Sequence, residues 1–309
     1  MSRFADAAKR HPKTKATKVS IPHGEADAWL FYFPYHSPTP IRSRRIEWVE
    51  KTWPDQLFNV PGFMDKTKTS IKNYWDWRST NYGHDADKSA AIAKQWETIV
   101  HQAVKGAPGK RALDIGTGTG QFAVYLARGG FDVTGIDISE SMIAEARRYA
   151  ADERFQIDFR TGDAESLDFA DRTFDVIVSR NLLWTLPRPH QALLEWRRVL
   201  KPGGRLMLSD GFWKNTTWRR VPRLVFKMLK DMGRNGSRVS LRFFCTYAGL
   251  QRRLPFYEGL SEDAAVTLLR AARFKSITPY DTRRMKVHPY GATSPKRGFQ
   301  PFFVASATR

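Results

Sequence analysis

The sequence predicts an α/β chain organised on an open, mostly parallel sheet, and three observations carry that expectation. Residues 112–120 form a short apolar run that ends in Asp114 and passes into Gly116-Thr117-Gly118-Thr119-Gly120, after which 121–128 has a helical pattern. Three more apolar runs follow, at 131–136, 155–159 and 174–179, each separated from the next by a helical or polar stretch. Polar residues stand just past each run: Asp137, then Gly162-Asp163-Ala164-Glu165, then Arg180-Asn181. Open α/β sheets bind ligands at that edge, beyond the carboxyl ends of their strands.

Taken in order, residues 1–20 carry Lys9, Arg10, Lys13, Lys15 and Lys18 with little apolar content, and are expected to be a disordered basic tail. Residues 21–86 read as an N-terminal extension. The aromatic cluster Trp29 to Tyr35, the prolines at 34, 38 and 40 and a turn or two of helix at 46–53 form no motif; the segment is expected either to cover the active site or to form a homodimer contact through 21–67, and so many aromatics needing burial favour the contact. Residues 87–309 read as the α/β domain. A helix is expected over 87–105, with Ile92, Trp96, Ile99, Val100 and Val104 on one face.

In the loop at 116–120, glycines accept positive φ and carry no Cβ, so backbone N–H groups can approach a polar ligand closely. Alone, the Gly-x-Gly-x-Gly run does not separate a ligand loop from a tight turn. A dinucleotide fingerprint fits less well, because the third glycine follows the second by two positions instead of three. Asp137, ending the second strand, is placed to accept from both hydroxyls of a ribose, and Ser139 reads as the N-cap of a helix over 140–150. Pro202-Gly203-Gly204 is expected to stop a helix ending at Leu200, with the fifth strand at 205–209. Ser261-Glu262-Asp263 suits the start of a helix over 261–273, and two strands, 275–280 and 301–307, flank a loop at 290–297.

The single cysteine, Cys245, excludes an internal disulfide framework and Cys-cluster chemistry, and fits a reducing cytoplasm. No run approaches the roughly 20 apolar residues needed to cross a bilayer, and the first 20 residues lack the apolar core of a secretory signal. The formal charge of +20 is unevenly placed. Residues 110–210 hold 14 Lys and Arg against 15 acids, whereas 211–257 hold 11 against Asp231 alone. That insertion, with an amphipathic basic helix at 221–232, reads as a lid above the ligand edge and argues for an anionic partner: a charged substrate, nucleic acid or a membrane surface.

Residues 112–120, Asp137, Gly162-Asp163-Ala164, and the stretch from Leu186-Pro187 through Arg197-Arg198-Val199-Leu200-Lys201-Pro202-Gly203-Gly204 together resemble the class I S-adenosylmethionine-dependent methyltransferases. The likeness is greatest to the small-molecule branch that includes the ubiquinone and menaquinone biosynthesis methyltransferases, and it covers about residues 71–309. It implies a Rossmann-like fold of seven strands, mostly parallel with the last antiparallel, carrying S-adenosyl-L-methionine across the ends of the first strands. It implies methionine contacts from Asp114, Gly116, Thr117, Gly118 and Gly120, a ribose contact from Asp137 with Ile138 and Met142 beside it, and adenine contacts from Asp163, Ala164 and Glu165. The segment at 70–84, with Tyr74, Arg78 and Tyr82, is similar to one that covers the cofactor's methionine end in that branch.

Arg180 and Asn181 then stand where the methyl group is expected, and Trp184, Trp213, Tyr247 and Tyr257 are candidate substrate contacts. An amine, thiol or carboxylate acceptor needs no dedicated base. A hydroxyl or carbon acceptor wants one, for which His84 and His190 are the candidates, each equally readable as a structural or solvent-facing residue; Tyr82, His84, Arg180 and Asn181 are the candidate catalytic residues. The (Asp/Asn)-Pro-Pro-aromatic pattern of exocyclic-amine nucleic-acid methyltransferases is absent, since Ser179-Arg180-Asn181-Leu182 stands there. The expected function is methylation of a small anionic or aromatic metabolite. A nucleic-acid methyltransferase using the basic insertion, and a non-catalytic binding protein on the same fold, are the other two readings.

Overall fold

The computed structural model describes residues 63–82, 89–211, 242, 245–247, 249–251, 253–257, 259–282 and 302–309. The expected tail and most of the extension, His84, Trp213, the basic helix at 221–232 and the loop at 290–297 lie outside the described residues. Seven strands form one sheet: β1 (Arg111–Ile115), β2 (Asp132–Asp137), β3 (Asp158–Thr161), β4 (Phe174–Arg180), β5 (Leu200–Asp210), β6 (Lys275–Pro279) and β7 (Phe303–Thr308). Their order is β3-β2-β1-β4-β5-β7-β6. The first five pair in parallel, and β7 runs antiparallel to both β5 and β6. This is the sheet the sequence predicts.

Period-two alternation assigns the core to two layers. Leu113, Ile115, Ile177, Leu206 and Leu208 point to one face, against α5 (Pro189–Val199) and α6 (Glu262–Ala271). Ala112, Val176, Val178 and Met207 point to the other, against α2 (Ala90–Ala103) and α3 (Gln121–Arg128). Every residue of β4 from Phe174 to Ser179 is buried, as expected of a central strand covered by helices on both sides. α1 (Phe63–Arg78) precedes the sheet and rests on α4 (Glu140–Asp152).

Three boundaries depart from expectation. The third strand starts at Asp158, not 155, because Arg154 turns left-handed (φ 63°) and the Phe155 N–H closes back on the Ala150 carbonyl at 2.8 Å. Phe155 and Ile157 still pack on the core, but from the connection instead of from the ladder. The fifth strand begins at Leu200, immediately after α5 ends at Val199. Leu200 pairs with Phe174 and the next registered pair is Val176 with Arg205, so residues 201–204 form an excursion within the strand. Pro202-Gly203-Gly204, with Gly203 at φ 74°, makes that excursion and does not stop the helix. The helix predicted over 87–105 is trimmed to α2, where extended Ser89 caps it by accepting from the Ala91 N–H.

The Ser139 cap is as expected: its Oγ accepts from the Met142 N–H at 3.1 Å. The same hydroxyl donates to Asp76 Oδ1 at 2.6 Å, which ties α1 to the start of α4. Ser139→Ala is expected to cost about 1 kcal/mol in chemical denaturation, the usual worth of an N-cap, because both partners lose one bond.

Candidate active site

The loop after β1 is shaped by its own polar groups. Thr117 Oγ1 donates to Asp114 Oδ2 at 2.7 Å, the Gly120 N–H donates to the Thr117 carbonyl at 2.9 Å, and Gly116, Gly118 and Gly120 all have positive φ. A Cβ on Gly120 would meet Ala146 at 3.0 Å, so that glycine is favoured by contact as well as by conformation, whereas one on Gly116 would meet only the end of the Leu182 side chain, at 2.9 Å. At Gly118 there is nothing within 4 Å of that position, and the residue lines the opening.

That opening is a cavity of about 180 Å³ at the carboxyl ends of the parallel strands. It brings together Tyr82, Gly116, Gly118, Asp137, Ile138, Met142, Asp163, Ala164, Arg180, Asn181 and Trp184, all singled out in the sequence. Asp137 accepts from the Gly118 N–H at 3.0 Å and the Ser139 N–H at 2.9 Å, so it joins the two loops. Burial pushes its carboxyl up to about 6, against the pull of those N–H donors. Asn181 sits left-handed (φ 57°) with its N–H on the Ser209 carbonyl, turning the chain sharply out of β4. The Arg180 guanidinium donates to Gln121 Oε1 at 2.8 Å and lies over the Phe122 ring at 4.5 Å and the Trp96 ring at 5.3 Å. These contacts hold its position.

Other predicted residues do not reach the cavity lining. Asp114 is buried beneath the loop, where burial raises its carboxyl to about 7 and Thr117 and Ala123 satisfy it. Thr117 and Gly120 likewise support the loop from behind. Glu165 is buried and receives the Arg188 N–H, with the Arg188 Nε at 3.2 Å; it is a clamp between the β3 loop and α5. Tyr74 is only 4 % exposed and packs edge-on to Trp75 and Tyr247, each at 5.2 Å. Burial moves its phenol up to about 12. Arg78 lies over the Tyr82 ring, while Tyr247 and Tyr257 are core to the same aromatic cluster that Trp184 borders.

Lys68, Ile71 and Trp75 line the cavity instead. They are one face of α1 at i, i+3 and i+7, a pattern present in the sequence, whereas Tyr74 and Arg78 belong to the neighbouring face. Leu182, Thr185, Leu186 and Pro187 complete the wall, from the connection after β4.

Residues 113–208 match a family model described as a methyltransferase domain. A demethylmenaquinone methyltransferase of Renibacterium salmoninarum is 34 % identical over 148 residues, covering 48 % of this chain and 61 % of that protein. A ubiquinone/menaquinone biosynthesis C-methyltransferase of Roseobacter denitrificans is 40 % identical over 126 residues, 40 % of this chain and 50 % of that protein. Residues 113–208 are a methyltransferase domain, similar to those of the S-adenosylmethionine-dependent class I enzymes. The chain spans between half and two thirds of the length of these two curated relatives. In fold, the methyltransferase domain is also similar to geranyl diphosphate C-methyltransferase from Streptomyces coelicolor A3(2), solved with S-adenosyl-L-homocysteine, at a TM-score of 0.53 and 17 % identity over 81 % of this chain and 99 % of that one.

S-adenosylmethionine is the cofactor of such domains, and the cavity's chemistry fits it. Two carboxylates, Asp137 and Asp163, face it as acceptors for hydroxyl or amine donors. Gly118 has open space where a side chain would stand, and Ile136, Ile138, Met142 and Ala164 add apolar surface to the lining.

Proposed function

We propose that this chain transfers the methyl group of S-adenosylmethionine to a small aromatic or anionic acceptor of the quinone-precursor kind. The observation that carries the reading is a continuous cavity running from Gly116, Gly118 and Asp137 to an aromatic rim of Trp75, Tyr82 and Trp184. In this reading Asp137 accepts from the ribose hydroxyls, Asp163 accepts from the adenine amine beside Ala164, and the backbone at Gly116 and Gly118 meets the methionine moiety. When bound, the cofactor supplies an electrophilic methyl on a sulfonium.

The chain's own contribution is placement. Holding a nucleophile in line is worth up to ~7–11 kcal/mol, more than any single base would add. Trp75 and Tyr82 stand edge to face at 5.7 Å, and with Trp184 they offer aromatic surfaces to a planar acceptor. Arg180, locked by Gln121 and two rings, presents a fixed cation at the end of β4 to an anionic acceptor. The relatives named for demethylmenaquinone and ubiquinone/menaquinone methylation support the acceptor class. A nucleic-acid acceptor rests on the charge of 211–257, most of which lies outside the described residues.

Calorimetric titration with S-adenosylmethionine and S-adenosylhomocysteine at two salt concentrations tests the cofactor. Saturable micromolar binding is expected. Transfer of labelled methyl to a demethylated naphthoquinol, and not to RNA, is the expected outcome for the acceptor. Absence of binding to both cofactor forms would overturn the reading.

A further inference from the structure

Lys68 came from no motif, yet it reaches 95 residues along the chain to the β3 loop. Its ammonium lies 2.5 Å from Asp163 Oδ2 and 2.7 Å from Glu165 Oε2, and it lines the cavity beside Asp163. The other oxygen of Asp163, Oδ1, accepts from the Glu165 N–H at 2.9 Å. Both oxygens of Asp163 are therefore held, one by backbone and one by Lys68. Glu165 is held by Arg188 as well, whose Nε meets the same Oε2 at 3.2 Å, so the Asp163–Glu165 pair is fixed by two cations.

A simple staple for α1 is the plainer role, and the bond to Glu165, whose side chain is 0 % exposed, serves it. The bond to Asp163 adds little to that: the Lys68 side chain is 16 % exposed and that of Asp163 34 %, and partly solvated pairs contribute little to stability. α1 is already held by buried Ile71 and Tyr74, and by Asp76 at the start of α4. What the pair does that those contacts do not is fix the plane of the carboxylate that faces the cavity.

We propose that Lys68 is a positioning residue for purine recognition: through Asp163 it makes the cofactor site select a 6-amino over a 6-oxo purine. This rests on the cofactor reading above. An ionised carboxylate accepts but does not donate, so it rewards an exocyclic amine and opposes a carbonyl in the same place. A site built to bond an N–H discriminates strongly against an analogue lacking it, provided the acceptor is held still. Lys68 supplies that constraint from a helix that lies outside the sheet.

The test compares binding of S-adenosylhomocysteine and S-inosylhomocysteine to the full chain, by calorimetry, for wild type, Lys68→Met and Lys68→Arg. Wild type is expected to prefer the adenosyl form. Lys68→Met is expected to lower adenosyl affinity by about tenfold and to narrow the preference by a similar factor, while Lys68→Arg retains most of both. Thermal unfolding of each variant reports any loss of fold. An equal loss for both ligands, with the preference unchanged, would make Lys68 a staple and overturn the proposal. If wild type binds neither ligand the cofactor reading itself fails and the proposal goes with it; if wild type binds both equally, only the proposal fails.

Discussion

Asp137→Ala is expected to lower cofactor affinity by about 100-fold, the largest effect at this site. Hydrogen bonds to a charged group are worth about 1.5–3 kcal/mol each, and two ribose hydroxyls lose theirs together. The substitution also frees the Gly118 and Ser139 N–H groups, so titration of Asp137→Asn, which retains an acceptor oxygen, separates the ligand contact from the brace. Unchanged affinity in Asp137→Ala would remove Asp137 from the ribose site. The pH dependence has a definite sign. Burial lifts this carboxyl to about 6 from a reference of 3.8, so the folded chain holds its proton more tightly than the unfolded chain does. Relative to Asp137→Asn, wild-type stability therefore rises as pH falls from 7 toward 4. Cofactor affinity moves the other way, declining below about pH 6 as the acceptor is protonated. Opposite slopes in the two measurements are the expected signature.

Trp196→Ala is expected to destabilise the fold by about 3–5 kcal/mol, measured by urea denaturation. Trp196 is fully buried between α5 and the sheet, and its Nε1 donates to the Ala164 carbonyl at 2.9 Å. Ala164 is also part of the cavity wall. Trp196→Phe refills most of the volume but leaves that carbonyl without its donor, at a cost of about 1–3 kcal/mol. Its cofactor affinity is expected to fall as well, because the wall at Ala164 is no longer fixed.

The parts of this fold that were legible in the sequence are those set by local rules. The α3 helix was readable residue for residue because Gly120 and Gly129 bound it, and Ser139 because an N-cap declares itself within three residues. Phe155 misled because an apolar residue at a strand's approach is indistinguishable, by pattern, from one inside the strand. Pro202-Gly203-Gly204 misled for a related reason: the residues that end helices also make excursions in strands, and only pairing with β4 decides. On α1 the difference between expectation and structure is angular. Tyr74 and Trp75 differ by about 100° around a helix axis, and which of them faces the cavity depends on Asp76 meeting Ser139, a contact 63 residues apart. Lys68 was invisible because its partners are 95 residues away.

Those same two separations bear on how the domain comes together. Among the described residues α1 precedes every strand, yet its anchors Lys68 and Asp76 meet the loops that follow β3 and β2, and Thr67 accepts from Arg253, later still in the chain. Loop-closure entropy makes such distant contacts late ones. The first of the described helices is thus expected to be among the last pieces to dock, and the cavity it roofs to be finished only after the sheet beneath it.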